Sequence, residues 1–409
     1  MDKQIIENYA RLIVRTGANV QKGQEVFVTA SVEIYDFIRL VVKECYLAGA
    51  SRVYVKYTDS ERSKLDLAYG EEELFCHLDE MEKAEQEHFL KKFPCRIFIE
   101  SDDPDALKGI DQAKNGRITS SKAKEIWNYR SKWDSECQWT IAGYPSLGWA
   151  KKVFPDLGDE EAKENLLSLI LKVSRADEGD PIENWKRHDR NLVSHMDKMN
   201  SLGLVALHYT SKKGTDLHVG LVEDVIWEAG GEYAKTSRIH FQPNIPTEEC
   251  FTSPDKYKTE GIVYATKPLS LRGEVVENFS LRFHEGKIVE VHAEKGEEVL
   301  KDAIFNSENG YYLGECALVP VDSPINETGK LFFSTLYDEN ASCHLAFGRA
   351  FSMLIKGYEK MDEAEIAKYP LNVSTVHVDF MIGDETLDID GTTKDGKVIP
   401  IFRNGRWAI

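Results

Sequence analysis

The sequence predicts an α/β protein of two domains: an N-terminal α/β sheet domain over residues 1–180 and a C-terminal β-rich α+β domain over 181–409. Three observations predict it. At 409 residues the chain exceeds what a single hydrophobic core ordinarily serves. Its first part alternates short apolar runs with segments of helical periodicity, the pattern of βαβ crossovers and a largely parallel sheet. Its second part reads as short strands joined by turns, which suits an antiparallel or mixed sheet.

The elements follow in order. MDKQIIENYARLIVRTG places Ile5, Ile6, Tyr9, Leu12 and Ile13 at helical spacing among charged residues, which predicts an amphipathic helix and not a signal peptide. Glu25–Thr29 is a short apolar run. A helical stretch carrying Ile34, Phe37, Ile38, Val41 and Val42 comes next, and Gly49 closes it. Arg52–Tyr57 alternates at period two, Arg96–Glu100 is another apolar run, and Gln138–Ala142 follows. The DEGDP stretch at 177–181 marks the expected boundary. Beyond it Leu202–Thr210, Asp216–Leu221, Gly261–Thr266, Val276–Phe283 and Lys287–Ala293 read as strands, with HEGK at 284–287 a hairpin turn.

Composition narrows the function. The net charge of −18 would repel a phosphate backbone over most of the surface, so nucleic acid is not an expected partner. No run of 18 apolar residues is present, so no membrane span is expected, and the protein is expected in the cytoplasm. Seven cysteines are scattered without CxxC spacing, which reads as reduced structural thiols. No phosphate loop, GxSxG elbow or HExxH helix occurs, which removes the nucleotide-dependent, serine-hydrolase and zincin readings.

Five segments can carry chemistry. In STVHVDFMIG (374–383), a strand puts Val376, Val378, Phe380 and Ile382 on one face and His377, Asp379 and Met381 on the other. The apolar face packs inward while His377 and Asp379 project together, a pairing suited to zinc, cobalt or manganese. In YDENASCHLAFGRAF (337–351), Glu339 or Asn340 opens an expected helix, with His344 in its first turns and Phe351 two turns on. Glu249 follows Pro246 in NIPTEEC (244–250). Glu315 stands inside the apolar run YYLGECALVP (311–320), where a lone carboxylate is costly to bury unless paired or bound to metal. Asp216 and His218 form a D-x-H pair that reads as structural, since no further ligand-like residue accompanies it. Cys250, Cys316 and Cys343 each neighbour a candidate ligand, but adjacent strand residues face opposite ways.

Together NIPTEECFTSPD (244–255), GECALVP (314–320), LYDENASCH (336–344) and HVDFMIG (377–383) resemble the thermophilic-type metallo-aminopeptidase family, which includes aminopeptidase T, aminopeptidase S and peptidase S. The resemblance extends over the whole chain. It implies hydrolysis of N-terminal residues from peptides, a site with two divalent metal ions (zinc, cobalt or manganese) and a homodimer. It implies ligands at Glu249, Glu315, His344, His377 and Asp379, with Glu339 as a further metal residue close to them. Glu315 is the expected acceptor of the water proton. One departure stands out: where the family carries a tyrosine seven residues after the metal histidine, this chain has Phe351. A phenyl ring can border substrate but cannot donate a proton, which admits a second reading as a metal-stabilised peptide-binding protein.

Overall fold

The structure, a computed structural model, describes residues 2–409. Contacts divide the chain into two compact units, residues 1–186 with 231–245 and residues 187–230 with 246–409. The first unit holds a five-stranded sheet in the order Asn244–Ile245, Trp139–Gly143, Cys95–Glu100, Glu25–Ser31, Arg52–Thr58. Every pairing in it is parallel, so helical crossovers separate its long strands. One crossover is Tyr35–Ala48, which buries Phe37, Ile38, Val41 and Cys45 and ends at Gly49 in the left-handed conformation. The outermost strand comes from residues 244–245, far along the sequence from its neighbours.

The second unit contains two antiparallel sheets. The larger has nine strands, including Leu204–Thr210, Asp216–Leu221, Pro254–Tyr264, Glu274–His284 and Lys287–Lys295. Its HEGK turn pairs His284 with Lys287, and Glu285 and Gly286 both take positive φ (48° and 80°), as a two-residue hairpin loop requires. The smaller sheet runs in the order His377–Met381, His344–Gly348, Leu313–Leu318, Cys250–Thr252, Glu228–Ala229. The inner faces of both sheets contribute to one core: Leu207, Tyr209, Leu217 and Val219 from the larger, and Cys316, Leu318, Leu345, Phe347 and Phe380 from the smaller. Among the described residues no helix is long and apolar enough to cross a membrane, and all seven cysteines are free, six of them buried.

The expected helix through His344 is replaced by a strand. The chain makes helical turns over Thr335–Asp338 and Glu339–Ala341, then extends at Ser342 (φ −163°, ψ 173°). His344–Gly348 follows as a fully buried strand. The reason lies in HLAFG: Leu345 and Phe347 alternate with small or polar residues, and both are needed in the core. A slip of one residue would expose each, at roughly 1.5–3 kcal/mol per side chain, and drive His344 into apolar surroundings.

Candidate metal centre

The smaller sheet turns one face to the core, and its other face gathers ionisable groups. On the strand His344–Gly348, which lies between His377–Met381 and Leu313–Leu318, His344, Ala346 and Gly348 share that outer face. Cross-strand register pairs Ala346 with Glu315 on one side and with Asp379 on the other. Gly348 stands opposite His377, and His344 opposite Met381 and Ala317. Large acidic and imidazole side chains thus flank small residues, which leaves room for them to converge above Ala346. The expected two faces of HVDFMIG are present, since Phe380 and Ile382 lie in the core and His377 Nε2 lies 3.1 Å from Asp379 Oδ1.

Two glycines make the approach possible. A side chain at Gly314 would meet the Arg349 carbonyl oxygen at 2.2 Å, and one at Gly348 (φ +105°) would meet the Val376 carbonyl oxygen at 2.2 Å. The same Arg349 carbonyl accepts the Nδ1–H of His377 at 2.8 Å. That bond makes Nδ1 the donor to the backbone and leaves Nε2 as the ring nitrogen that faces Glu315 Oε2 and Asp379 Oδ1, both at 3.1 Å, carrying a proton toward them when no cation is there.

Glu249 arrives from the loop just before Cys250–Thr252. Its neighbour Cys250 lies in the core, so the period-two alternation turns Glu249 outward, and its Oε2 lies 3.3 Å from His344 Nε2. Glu248 takes another direction, toward His188 at 3.8 Å. Asn340, fully buried, ties this loop to the next: its Oδ1 accepts from the Glu248 amide at 2.7 Å and its Nδ2 points to Glu339 Oε1 at 3.4 Å. In the sequence Asn340 read only as a helix opener, and its role depends on a segment 92 residues away.

Two groups of possible ligand atoms result, each within 4.8 Å of one another: Glu249, Glu315 and His344, and Glu315, His377 and Asp379. Glu315 belongs to both. Glu339 belongs to neither and is half-buried, although it feels the charges of Asp379, Glu249 and Glu315. All six candidate residues therefore come together in one place. Phe351 lies at their edge, with its ring 5.0 Å from that of His377 and 5.6 Å from that of Phe251. It gets there by a turn after Gly348 and not along a helix.

The electrostatics call for a cation. Glu249, Glu315, His344 and Asp379 are each buried, and four carboxylates face two imidazoles. Even with both rings protonated, two negative charges would remain if every acid were ionised. Without added positive charge the site must take up protons. Burial, less the pull of His377, pushes Glu315 up to about 7. Burial and then its acidic neighbours hold Glu339 well above the ordinary carboxylate range. Burial works against charging His344, but Glu249 and the other carboxylates outweigh it and raise the ring to about 9. His377 is raised for the same reasons, chiefly by Asp379 once burial is overcome. Burial would raise Asp379, yet the adjacent His377 holds it below its usual value. Asp379 Oδ1 is buried and makes no well-formed hydrogen bond despite its 3.1 Å approach to His377. An orphaned oxygen in an oxygen–imidazole cluster without thiolate fits a divalent metal.

Comparison with known proteins agrees with this chemistry. Residues 2–407 match the family described as thermophilic metalloprotease (M29). The chain is 44% identical over 406 residues to aminopeptidase AmpS of Bacillus subtilis (strain 168), covering 99% of this chain and 98% of the relative. It is 41% identical over 414 residues to aminopeptidase T of Thermus thermophilus, covering 100% and 99%. The solved structure of wild-type AmpT from Thermus thermophilus superposes with a TM-score of 0.90 at 39% identity, covering 100% of both chains. The chain belongs to the thermophilic metalloprotease family M29 and is a metal-dependent peptide-bond hydrolase.

Proposed function

We propose that this chain is an aminopeptidase that releases N-terminal residues from peptides, and that Glu249, Glu315, His344, His377 and Asp379 hold a pair of divalent metal ions. The single observation that carries the reading is the membership of Glu315 in both ligand groups, since a shared carboxylate suits two adjacent cations. Zinc, cobalt and manganese all suit such donors. Bound there, a divalent metal supplies Lewis acidity toward the scissile carbonyl and lowers the pKa of a water.

The protein's own groups do the rest. The Arg349 carbonyl accepts the Nδ1–H of His377, so Nε2 is the ring nitrogen that would serve a metal. Asn340 holds the Glu248–Glu249 segment against the Glu339 turn. The sequence assigned the water proton to Glu315, but both ligand groups engage that residue. Our proposal therefore gives the proton to Glu339, which neither group uses. Phe351 and Phe251 form an apolar wall beside His377 against which a substrate side chain can lie.

Chelator should silence hydrolysis of leucyl and arginyl chromogenic amides, and added cobalt, zinc or manganese should restore it. An N-acetylated amide should remain uncleaved by the restored protein. Full turnover in protein verified as metal-free would overturn the proposal.

A second outcome concerns Phe351. Phe351→Tyr adds one hydroxyl at the ring that faces His377, so turnover should rise on the order of tenfold or more with KM little changed. Such a split marks an interaction made mainly in the transition state. Unchanged or reduced kcat would mean that the phenyl wall serves binding alone.

A further inference from the structure

A second cluster of metal-ligating side chains lies on the other sheet of the same unit. His208 and His218 stand directly opposite each other on the antiparallel strands Leu204–Thr210 and Asp216–Leu221, and Thr210 stands opposite Asp216. Their neighbours Leu207, Tyr209, Leu217 and Val219 are fully buried. Alternation therefore turns His208, Asp216 and His218 to the outer face. The shared core lies between this face and the face that carries His344 and His377. Taken as a D-x-H pair, Asp216 and His218 read as structural for want of a third ligand. The strand register supplies it as His208.

The three side chains lie within reach of one common ion. His208 Nε2 lies 2.7 Å from Asp216 Oδ1. The two imidazoles stack with centroids 3.8 Å apart and planes 9° from parallel. One ligand atom from each of the three lies within 4.8 Å of the others. Two imidazolium cations would repel at that separation, so at least one ring is held neutral and keeps a lone pair. His218 is the one whose pKa falls, through burial and then the charge of His208. The flanking strands add acid on both sides: Glu260 is the register partner of His218 and Asp390 that of His208. Both carboxylates have partners of their own, in His284 and Arg403, so the trio is the part open to a ligand.

We propose that His208, Asp216 and His218 bind one divalent transition-metal ion per chain, of the zinc–copper class, at a site separate from the proposed catalytic centre. Two imidazoles and one carboxylate select such an ion over calcium or magnesium, which prefer all-oxygen shells. The outward position leaves remaining coordination places to water. Small rotations of the rings bring both ring nitrogens toward Asp216, and the metal displaces the proton now shared between His208 and Asp216. An ion bound there staples the two strands of the hairpin and stabilises the folded chain by mass action.

The test uses copper(II) as the probe. Chelator-treated wild-type protein and the double variant His208→Gln/His218→Gln are titrated with copper(II) and followed by electron paramagnetic resonance and equilibrium dialysis. The expected result is one fewer ion bound per chain in the double variant, with loss of a signal split by two nitrogens. Hydrolysis by the cobalt-loaded variant should stay within about twofold of wild type, because neither ring takes part in the proposed centre. Asp216→Asn should weaken the same site roughly tenfold or more. His377→Ala should keep the two-nitrogen signal, which separates this site from the catalytic one. Equal stoichiometry and identical spectra in wild type and the double variant would overturn the proposal.

Discussion

Glu339→Gln should lower kcat by roughly 10²–10⁴-fold, the ordinary worth of a positioned general base, while metal content stays at the wild-type level. The amide keeps the size of Glu339 and its contact with Asn340 Nδ2 (3.4 Å to Oε1), so the fold has little reason to change. Glu315→Gln, His377→Ala and Asp379→Ala should behave differently. Each removes a donor from one or both ligand groups, so activity and bound metal should be lost together. The contrast separates a proton acceptor from ligands, and metal analysis on the same samples used for kinetics supplies it. Wild-type turnover in folded His377→Ala or Asp379→Ala would remove that pair from the site. If Glu339→Gln loses metal in step with activity, Glu339 is a ligand and the proton must go elsewhere.

The chelated protein should be more stable near pH 5.5 than near pH 8.5, the reverse of what acid usually does to a protein rich in carboxylates. Glu315 has an ordinary value of 4.5 and is raised to about 7 in the folded chain. His344 goes from 6.5 to about 9, and His377 is raised as well. Folded protein therefore binds more protons than unfolded protein across this range. Stability then falls as pH rises, by about 1.4 kcal/mol per pH unit for each excess proton. The contribution of Glu315 is lost between its ordinary value and about 7, and that of His344 is fully present below 6.5 and gone by about 9. Asp379 has the opposite sign, since its value is lowered from 3.8, and acts only in more acidic solution. Thermal unfolding should show Tm dropping by several degrees between the two pH values. Added metal should cancel the drop, because ligands and protons compete for the same atoms. A Tm that is flat or rising in chelated protein would mean that the cluster does not carry these protons.

Much of this arrangement is written in local pattern. The alternation of HVDFMIG places His377 and Asp379 on one face because Phe380 and Ile382 must enter a core, and this needs no partner strand to be read. Glu315 announces itself as a carboxylate inside an apolar run, and the strand Leu313–Leu318 is buried throughout. The parallel character of the first sheet follows from strands separated by helical segments.

Other features depend on pairing between distant segments. HLAFG carries a period-two signal, but the helical turns of 335–341 directly before it and the seven-residue spacing to Phe351 suggest a continued helix. Only the demand of the core for Leu345 and Phe347 decides for the strand. Residues 231–245 lie beyond the 177–181 stretch in sequence, yet they cluster with the first unit, because Asn244–Ile245 completes its parallel sheet. The identities of the acids and imidazoles were thus determined by the sequence itself. Which of them meet was decided by register: Glu315 and Asp379 face each other across Ala346, and His208 reaches His218 across one hairpin. The physical reason is that strand alternation is a property of a single segment, whereas a metal-binding cluster needs side chains from several segments brought together by hydrogen-bonded neighbours and a common core.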